Sequence, residues 1–136
     1  MKKVLVFGTF DEINAGHIDF LTQAKRFGNE LIVLVVDDES VSIYKGKPPV
    51  WSLERRMEAV RQLPLKPTVY EENIRQNWKS LMTIKPDVIV LSAKQAFWQQ
   101  RVRLMLGDYN LTAKIVVLPE KQLETNAAKA GQASAD

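Results

Sequence analysis

The only histidine of the chain, His17, stands directly behind a glycine where a strand pattern gives way to a helix pattern. In VLVFGTFDEINAGHIDFL, an apolar run ends at Gly8 and a short polar loop leads to Gly16. The first amides of a helix are unpaired donors at the positive end of its dipole, and they attract phosphate. Gly16 leaves them unobstructed, and the imidazole of His17 adds another donor. The spacing therefore predicts a phosphate-binding loop.

Three further residues of this loop have side chains that suit such a site. Gly8 permits the close approach of a ligand, and Thr9 offers a hydroxyl. Phosphate would repel Asp11, so we expect Asp11 to brace the loop, cap an amide or help hold a cation. Ordinary turn chemistry accounts equally well for Thr9 and Asp11 when each is taken alone.

A basic segment provides a second source of groups for an anion. Residues 45–66 hold six basic and two acidic side chains, although the net charge of the chain is only +3. Lys45 and Lys47 lie in KGKPP, a glycine-containing loop that could fold over a ligand, and Arg56 follows in a predicted helix. The alternatives are a solvated loop and an ion pair between Arg56 and a neighbouring glutamate. Because aromatic and basic residues do not interleave, nucleic acid is not expected as the main partner.

These residues need a scaffold, and the apolar patterns indicate an alternation of strands and helices. Continuous runs rich in β-branched residues predict strands covered on both faces. They occupy residues 4–7, 31–36, 88–91 and 115–118, with a weaker run at 67–70. Helical spacing predicts helices over 17–27, 53–63, 73–84 and 93–106. The pattern indicates a Rossmann-like three-layer α/β/α fold with a five-stranded parallel sheet, whose ligands bind beyond the carboxyl ends of the strands.

The composition excludes several other kinds of site. With no cysteine and one histidine among 136 residues, disulfides, thiolate metal sites and multi-histidine metal sites are excluded. The acidic run at 37–39 is interpreted as a solvated loop, so we expect no metal held by protein side chains. The three tryptophans (Trp51, Trp78 and Trp98) are interpreted as packing residues, with base-stacking platforms as the alternative.

The length suits one domain, over residues 1–126, with a flexible tail at 127–136. No apolar stretch approaches the roughly 20 residues of a membrane span, and no signal peptide is apparent. We therefore expect a cytoplasmic protein without a membrane partner.

Taken together, these segments resemble the nucleotidyltransferase superfamily. GTFDEINAGH resembles its opening motif, G-T/S-F-D-x(4)-G-H, whose usual form carries His-x-Gly-His. KGKPPVWSLERRMEAV (45–60) is similar to the basic loop and E-x-R helix that follow the second strand, and KPDVIVL (85–91) to the fourth strand. The layout is most similar to the glycerol-3-phosphate cytidylyltransferase-like branch and to the small adenylyltransferases of flavin synthesis.

The resemblance implies transfer of a nucleoside monophosphate from CTP or ATP to a small phosphorylated acceptor such as glycerol 3-phosphate, with release of pyrophosphate. It implies Mg²⁺ bound with the triphosphate, and a homodimer. His17 and Thr9 would contact the α-phosphate, Lys47 or Lys45 would cover the triphosphate, and Arg56 would anchor phosphate. The implied nucleotide-binding residues are Gly8, Thr9, Phe10, Asp11, Gly16, His17, Lys45, Arg56, Thr125 and Asn126.

Two departures from the motif leave other functions open. Asn14 replaces the first histidine, so the expected catalytic set is His17, Lys47, Asn14 and Thr9, with Asn14 donating a neutral hydrogen bond. Near the C-terminus, Thr125 and Asn126 stand in for a longer phosphate-binding segment. The alternative functions are a catalytically inactive or impaired nucleotide-binding homologue and an assembly domain without a nucleotide.

Overall fold

The five apolar runs form the five strands of one parallel sheet. In a computed structural model, which describes residues 2–119, the strands are β1 Lys3–Gly8, β2 Glu30–Val36, β3 Thr68–Glu72, β4 Val88–Leu91 and β5 Lys114–Val117. They lie in the order β3-β2-β1-β4-β5, and every pairing is parallel. The predicted Rossmann-like α/β fold is confirmed, and the weakest run forms an edge strand.

Helices cover both faces of this sheet. Five α-helices are present in the described chain: α1 Ala15–Lys25, α2 Asp38–Lys45, α3 Leu53–Arg61, α4 Ser80–Ile84 and α5 Gln99–Asp108. Leu21 of α1 and Val60 of α3 belong to an apolar cluster on one face. Leu81 of α4 and Val102 of α5 belong to a second cluster on the other face. Because both faces are covered, the strands read as continuous apolar runs in the sequence.

The single helix predicted over residues 73–84 is wrong. The chain forms a short 3₁₀ helix, Ile74–Gln76, and then α4. Between them Asn77 and Trp78 adopt the left-handed conformation, with φ of 57° and 54°, which interrupts the helical hydrogen bonds. This turn leaves Trp78 almost completely buried, so tertiary packing overrides the local helical spacing.

The helix predicted over residues 93–106 also differs in detail. It begins as a 3₁₀ helix, Ala93–Trp98, and becomes α-helical in α5. It continues past Gly107, where the sequence predicted an end, because a glycine inside a helix weakens it without stopping it.

The acidic run at 37–39 is not the loop that the sequence predicted, because it opens α2. Asp38 and Glu39 lie in the first turn of α2, where carboxylates interact favourably with the helix dipole. Gly46 ends the helix in the left-handed conformation, with φ of 82°. An acidic start and a glycine end are the signals that could have identified this helix.

The direction of strand order reverses between β1 and β4. The chain steps outward from β1 to β2 and β3, and then returns to place β4 on the other side of β1. The ladder between β1 and β4 is short, since its register pairs only Val4 with Val88 and Leu5 with Ile89. The outer halves of the two strands therefore diverge toward their carboxyl ends, where an open α/β sheet binds its ligands.

Two sequence predictions fall beyond the described residues. Thr125, Asn126 and the tail at 127–136 lie outside residues 2–119, so their roles remain predictions. Within residues 2–119 there is no helix with the length and apolar character that crossing a membrane would require.

Candidate functional site

The loop after β1 is anchored by Phe10. Its ring is fully buried in the cluster that includes Phe20, and its centroid lies 5.6 Å from that of the His17 imidazole. Phe10 and Glu12 have φ of 51° and 49°, a conformation that costs roughly 1–2 kcal/mol for a residue with a Cβ atom. Burial of the aromatic ring offsets this cost. A nucleotide contact from Phe10 would therefore use its main chain.

Asn14 and His17 close the start of α1 by capping each other's backbone. The Asn14 Oδ1 accepts hydrogen bonds from the amides of Gly16 (3.0 Å) and His17 (3.4 Å). In return, the Asn14 amide donates to the His17 Nδ1 at 3.0 Å. This is a capping box in which histidine takes the place of the usual glutamate or glutamine.

This cap corrects one expectation from the sequence. The amides behind Gly16 are not unpaired donors, because Asn14 already occupies those of Gly16 and His17. The Asn14 Nδ2 donates to the carbonyl of Glu12 at 3.3 Å. Asparagine is among the best N-cap residues, so this arrangement could have been recognised from the sequence.

The cap also determines which nitrogen of His17 can donate a proton. Because Nδ1 accepts the Asn14 amide proton, the ring proton of the neutral imidazole is on Nε2. The side chain is only 2% exposed, so its orientation is held by packing. His17 is therefore pre-oriented as an Nε2–H donor at the end of β1.

Asp11 braces a second loop against the first. Its two carboxylate oxygens accept the main-chain amides of Val50 (2.7 Å) and Trp51 (2.8 Å). This confirms the structural role that was one of the expectations for Asp11. The loop that carries Lys47 is therefore tied to the loop after β1.

The two lysines of KGKPP do not share one loop. Lys45 is the last residue of α2, and its ammonium lies 6.0 Å from the centroid of the Tyr44 ring. Lys47 follows Gly46 and is exposed, in the loop whose far end Asp11 holds. Of the two, only Lys47 retains the loop position that the sequence predicted for both.

Arg56 is buried, with 0% exposure, and joins four parts of the chain. Its guanidinium donates to the carbonyls of Thr9 and Val36, each at 2.8 Å, and of Trp51 at 3.0 Å. It also forms a 2.6 Å ion pair with Asp38. The alternative of an ion pair with a neighbouring glutamate is therefore wrong, and the expected phosphate contact stays a prediction. Anchoring a phosphate would require Arg56 to leave these acceptors, so its observed role is to brace the site.

Thr9 links the loop to a set of aromatic rings. Its Oγ1 lies 3.1 Å from the hydroxyl of Tyr44, and either oxygen can donate. Tyr44 is 37% exposed and its ring is 6.2 Å from Trp98, in an edge-to-face arrangement. Sequence reasoning missed this contact, since Tyr44 and Trp98 lie more than 50 positions apart and no local spacing relates them.

Gln95 bridges the diverging halves of β1 and β4. Its Nε2 donates to the carbonyl of Phe7 at 2.8 Å, and its Oε1 accepts the amide of Ser92 at 3.1 Å. This side chain fixes the turn after β4 against the end of β1. It was also missed, because Gln95 and Phe7 lie 88 positions apart and no local spacing relates them.

A buried carboxyl group lies at the outer end of β3. Glu72 accepts a hydrogen bond from the Ser80 hydroxyl, and its backbone carbonyl accepts the amide of Asp37. Burial raises the pKa of the Glu72 carboxyl, the Ser80 hydrogen bond opposes that rise, and the Asp37 carboxylate adds to it. The Asp37 Oδ1 is buried without a hydrogen-bond partner within residues 2–119.

The described residues contain no group of three or more histidine, cysteine or acidic side chains that could hold a metal ion.

Comparison with known proteins connects this geometry to a family. A family model described as cytidylyltransferase-like matches residues 5–128. Two relatives named FAD synthase are similar over most of their length. That of Pyrococcus abyssi is 36% identical over 92% of this chain and 85% of its own. That of Methanosarcina barkeri is 37% identical over 88% of this chain and 84% of its own. A crystal structure of a lipopolysaccharide core biosynthesis protein from Thermoplasma volcanium has a TM-score of 0.82 and 27% identity, covering 90% of this chain and 99% of the other.

Proposed function

This chain belongs to the cytidylyltransferase-like family, and we propose that it is a nucleotidyltransferase that transfers AMP from ATP to FMN, forming FAD and pyrophosphate. The choice of ATP and FMN is supported by the relatives named FAD synthase. The observation that carries the proposal is the position of His17, held by Asn14 at the point where strand order reverses.

The reaction is a phosphoryl-type displacement without a covalent enzyme intermediate. An oxygen of the FMN phosphate attacks the α-phosphorus of ATP, and the bond from that phosphorus to the bridging oxygen of the β-phosphate breaks. Pyrophosphate leaves with the electron pair of that bond. Such a reaction needs positioning and neutralisation of negative charge more than a nucleophilic side chain.

We assign the chain's own groups to that task. The Nε2–H of His17 donates to an oxygen of the α-phosphate, where negative charge builds up. The hydroxyl of Thr9 donates to the same phosphate while accepting from Tyr44. Lys47 swings over the β- and γ-phosphates from its exposed loop, and Arg56 holds the carbonyl of Thr9 in place. Magnesium bound with the triphosphate would supply further neutralisation of the charge on the leaving pyrophosphate.

The test is product formation with defined pairs of substrates. ATP or CTP is combined with FMN or glycerol 3-phosphate, and pyrophosphate release and FAD are measured. We expect FAD with ATP and FMN. Pyrophosphate release with CTP and glycerol 3-phosphate, without FAD from ATP and FMN, would contradict the proposal and support the cytidylyltransferase alternative.

Two variants of His17 distinguish a catalytic role of its imidazole from its structural role in the helix cap. We expect His17→Ala and His17→Gln each to lower kcat about 10²–10³-fold, because a donor to the developing charge is lost or displaced. Glutamine at this position retains an acceptor for the Asn14 amide, as in the usual capping box. A large activity loss in His17→Gln with unchanged thermal stability assigns the effect to the imidazole. Full activity in His17→Gln would exclude that role.

One observation favours a second candidate, an impaired nucleotide-binding homologue. Asn14 occupies two amides that a phosphate would otherwise bind. Thermal stabilisation by ATP without any product would support this candidate. No stabilisation by any nucleotide would support the assembly domain instead. The homodimer implied by the resemblance stays a prediction, which light scattering of the purified protein tests.

A further inference from the structure

Beside the phosphate loop, aromatic rings run from the core to the surface. Trp98 contacts four rings, with centroid distances of 5.9 Å to Phe7, 5.8 Å to Trp78, 6.2 Å to Tyr44 and 5.5 Å to Phe97. Phe7 and Trp78 are buried behind it. Tyr44 and Phe97 reach the surface, and Phe97 is 72% exposed. We call Tyr44, Phe97 and Trp98 the aromatic wall.

The aromatic wall is continuous with the candidate site. The hydroxyl of Tyr44 is one hydrogen bond, 3.1 Å, from the hydroxyl of Thr9. The 3₁₀ helix that carries Phe97 and Trp98 follows β4 directly and is fixed to the end of β1 by Gln95. A ligand whose phosphate lies at Thr9 can therefore reach these rings without leaving the sheet edge.

Trp98 of the wall and the histidine pack on opposite faces of the sheet. His17 is in α1, which packs on the face of the sheet that α3 also covers, and its ring contacts Phe10 in that cluster. Trp98 packs in the cluster of α4 and α5 on the other face. In an in-line displacement the attacking and leaving oxygens lie on opposite sides of the phosphorus. With the triphosphate extending toward α1, the acceptor would arrive from the side of the wall.

We propose that Tyr44, Phe97 and Trp98 bind the isoalloxazine ring of a flavin acceptor, an inference that rests on the proposed function. A flat fused ring buries its faces well against rigid aromatic side chains. Such stacking binds the ring without needing hydrogen bonds to its edge. The FMN phosphate would then lie next to the α-phosphate of ATP bound at Thr9, with the ribityl chain between that phosphate and the rings. An acceptor such as glycerol 3-phosphate has no group for this surface.

The test measures flavin binding without turnover. The fluorescence of FMN, and of riboflavin, which lacks the phosphate, is titrated with the wild-type protein and with Phe97→Ala. Phe97 is chosen because an exposed side chain can be truncated without unfolding the protein. Leu104→Ala is the matched control, since Leu104 is 60% exposed on α5 outside the wall.

We expect Phe97→Ala to weaken the binding of FMN and riboflavin by about the same factor, roughly tenfold. Equal factors follow because both ligands carry the same ring. Leu104→Ala should leave both affinities within about twofold of wild type. A non-hydrolysable ATP analogue should bind Phe97→Ala as it binds the wild type. Tyr44→Phe should retain ring binding, because only the hydroxyl is removed.

Three outcomes would overturn the inference, and they separate it from the proposed function. If FAD is formed but Phe97→Ala binds FMN like the wild type, the wall is not the flavin site and the proposed function stands. If Phe97→Ala weakens the ATP analogue and not FMN, the rings bind adenine. If no flavin binds and no FAD is formed, the proposed function fails together with the inference.

Discussion

Asn14 shows how one side chain can both hold and restrict a site. It fixes the imidazole of His17 through its own amide, and its Oδ1 takes two amides that phosphate would otherwise find. The histidine of the usual motif could not cap the helix in this way as well as asparagine does. With Asn14 in place of that histidine, the chain has a well-capped start of α1 but lacks a group that could carry positive charge there.

Asn14→His tests that exchange. Loss of the cap should lower the free energy of unfolding by about 1 kcal/mol, measured by urea denaturation. The released amides and the added imidazole should raise kcat for AMP transfer. Asn14→Ala loses the same cap without adding an imidazole, so it is the control. Equal kcat in the two variants would show that a second imidazole contributes nothing.

Glu72 gives the protein a pH dependence with a defined sign. Its pKa is raised in the folded state by burial and by Asp37, so the folded protein binds this proton more tightly than the unfolded chain. The contribution of Glu72 to stability is therefore greatest below the pKa of an unfolded glutamate, and it is lost as the pH rises through the raised value.

Glu72→Gln should remove that loss. The variant should gain stability relative to the wild type as the pH rises from about 4 to 7, because glutamine still accepts from Ser80 and carries no charge for Asp37 to repel. Denaturation at several pH values measures the difference. Glu71→Gln, at the exposed neighbour, should show no such trend. A constant difference across this range would contradict the assignment.

At the scale of elements, the end of α2 depends on a glycine. Gly46 has φ of 82°, and a Cβ atom added there would meet nothing within 4 Å, so the only cost of a side chain is backbone strain. Gly107 lies within α5 and also has open space around it, but its φ is not in the left-handed region. Comparing the two glycines therefore separates the effect of backbone conformation from the effect of side-chain contacts.

Gly46→Ala should lower the free energy of unfolding by about 1 kcal/mol, because alanine is strained at positive φ. Gly107→Ala should raise it by up to about 1 kcal/mol, because alanine favours the helix. Urea denaturation measures both. The same sign in both variants would mean that contacts, and not backbone conformation, decide the effect.

The elements also show how far the sequence could be interpreted. The strands were predictable because burial on both faces leaves continuous apolar runs, and the loop from Gly8 to Gly16 was predictable from its motif. The break at Asn77 and Trp78 was not, because it is imposed by the burial of Trp78. The aromatic wall was not either, since it brings together residues from two distant segments.

For the whole molecule, Arg56 connects regions that are remote in sequence. It holds the loop after β1, the end of β2, the start of α2 and the segment before α3. A buried carbonyl that loses its partner costs about 1–3 kcal/mol, and at least two such carbonyls depend on this guanidinium.

Arg56→Lys should therefore lower the free energy of unfolding by about 2–5 kcal/mol, because an ammonium cannot reach the same set of acceptors. Denaturation monitored by tryptophan fluorescence measures the loss. Arg55→Lys is the neighbouring control, since Arg55 is exposed and only stacks on Trp51. A loss no larger than that of the control would contradict the bracing role.

The short ladder between β1 and β4 has a mechanical consequence. Within residues 2–119, the pairing of β1 with β4 ends at Leu5 and Ile89, and the carboxamide of Gln95 reaches across the opening to the carbonyl of Phe7. Any widening of this rim would have to break the Gln95 hydrogen bond and could leave the pairing between β1 and β2 unchanged.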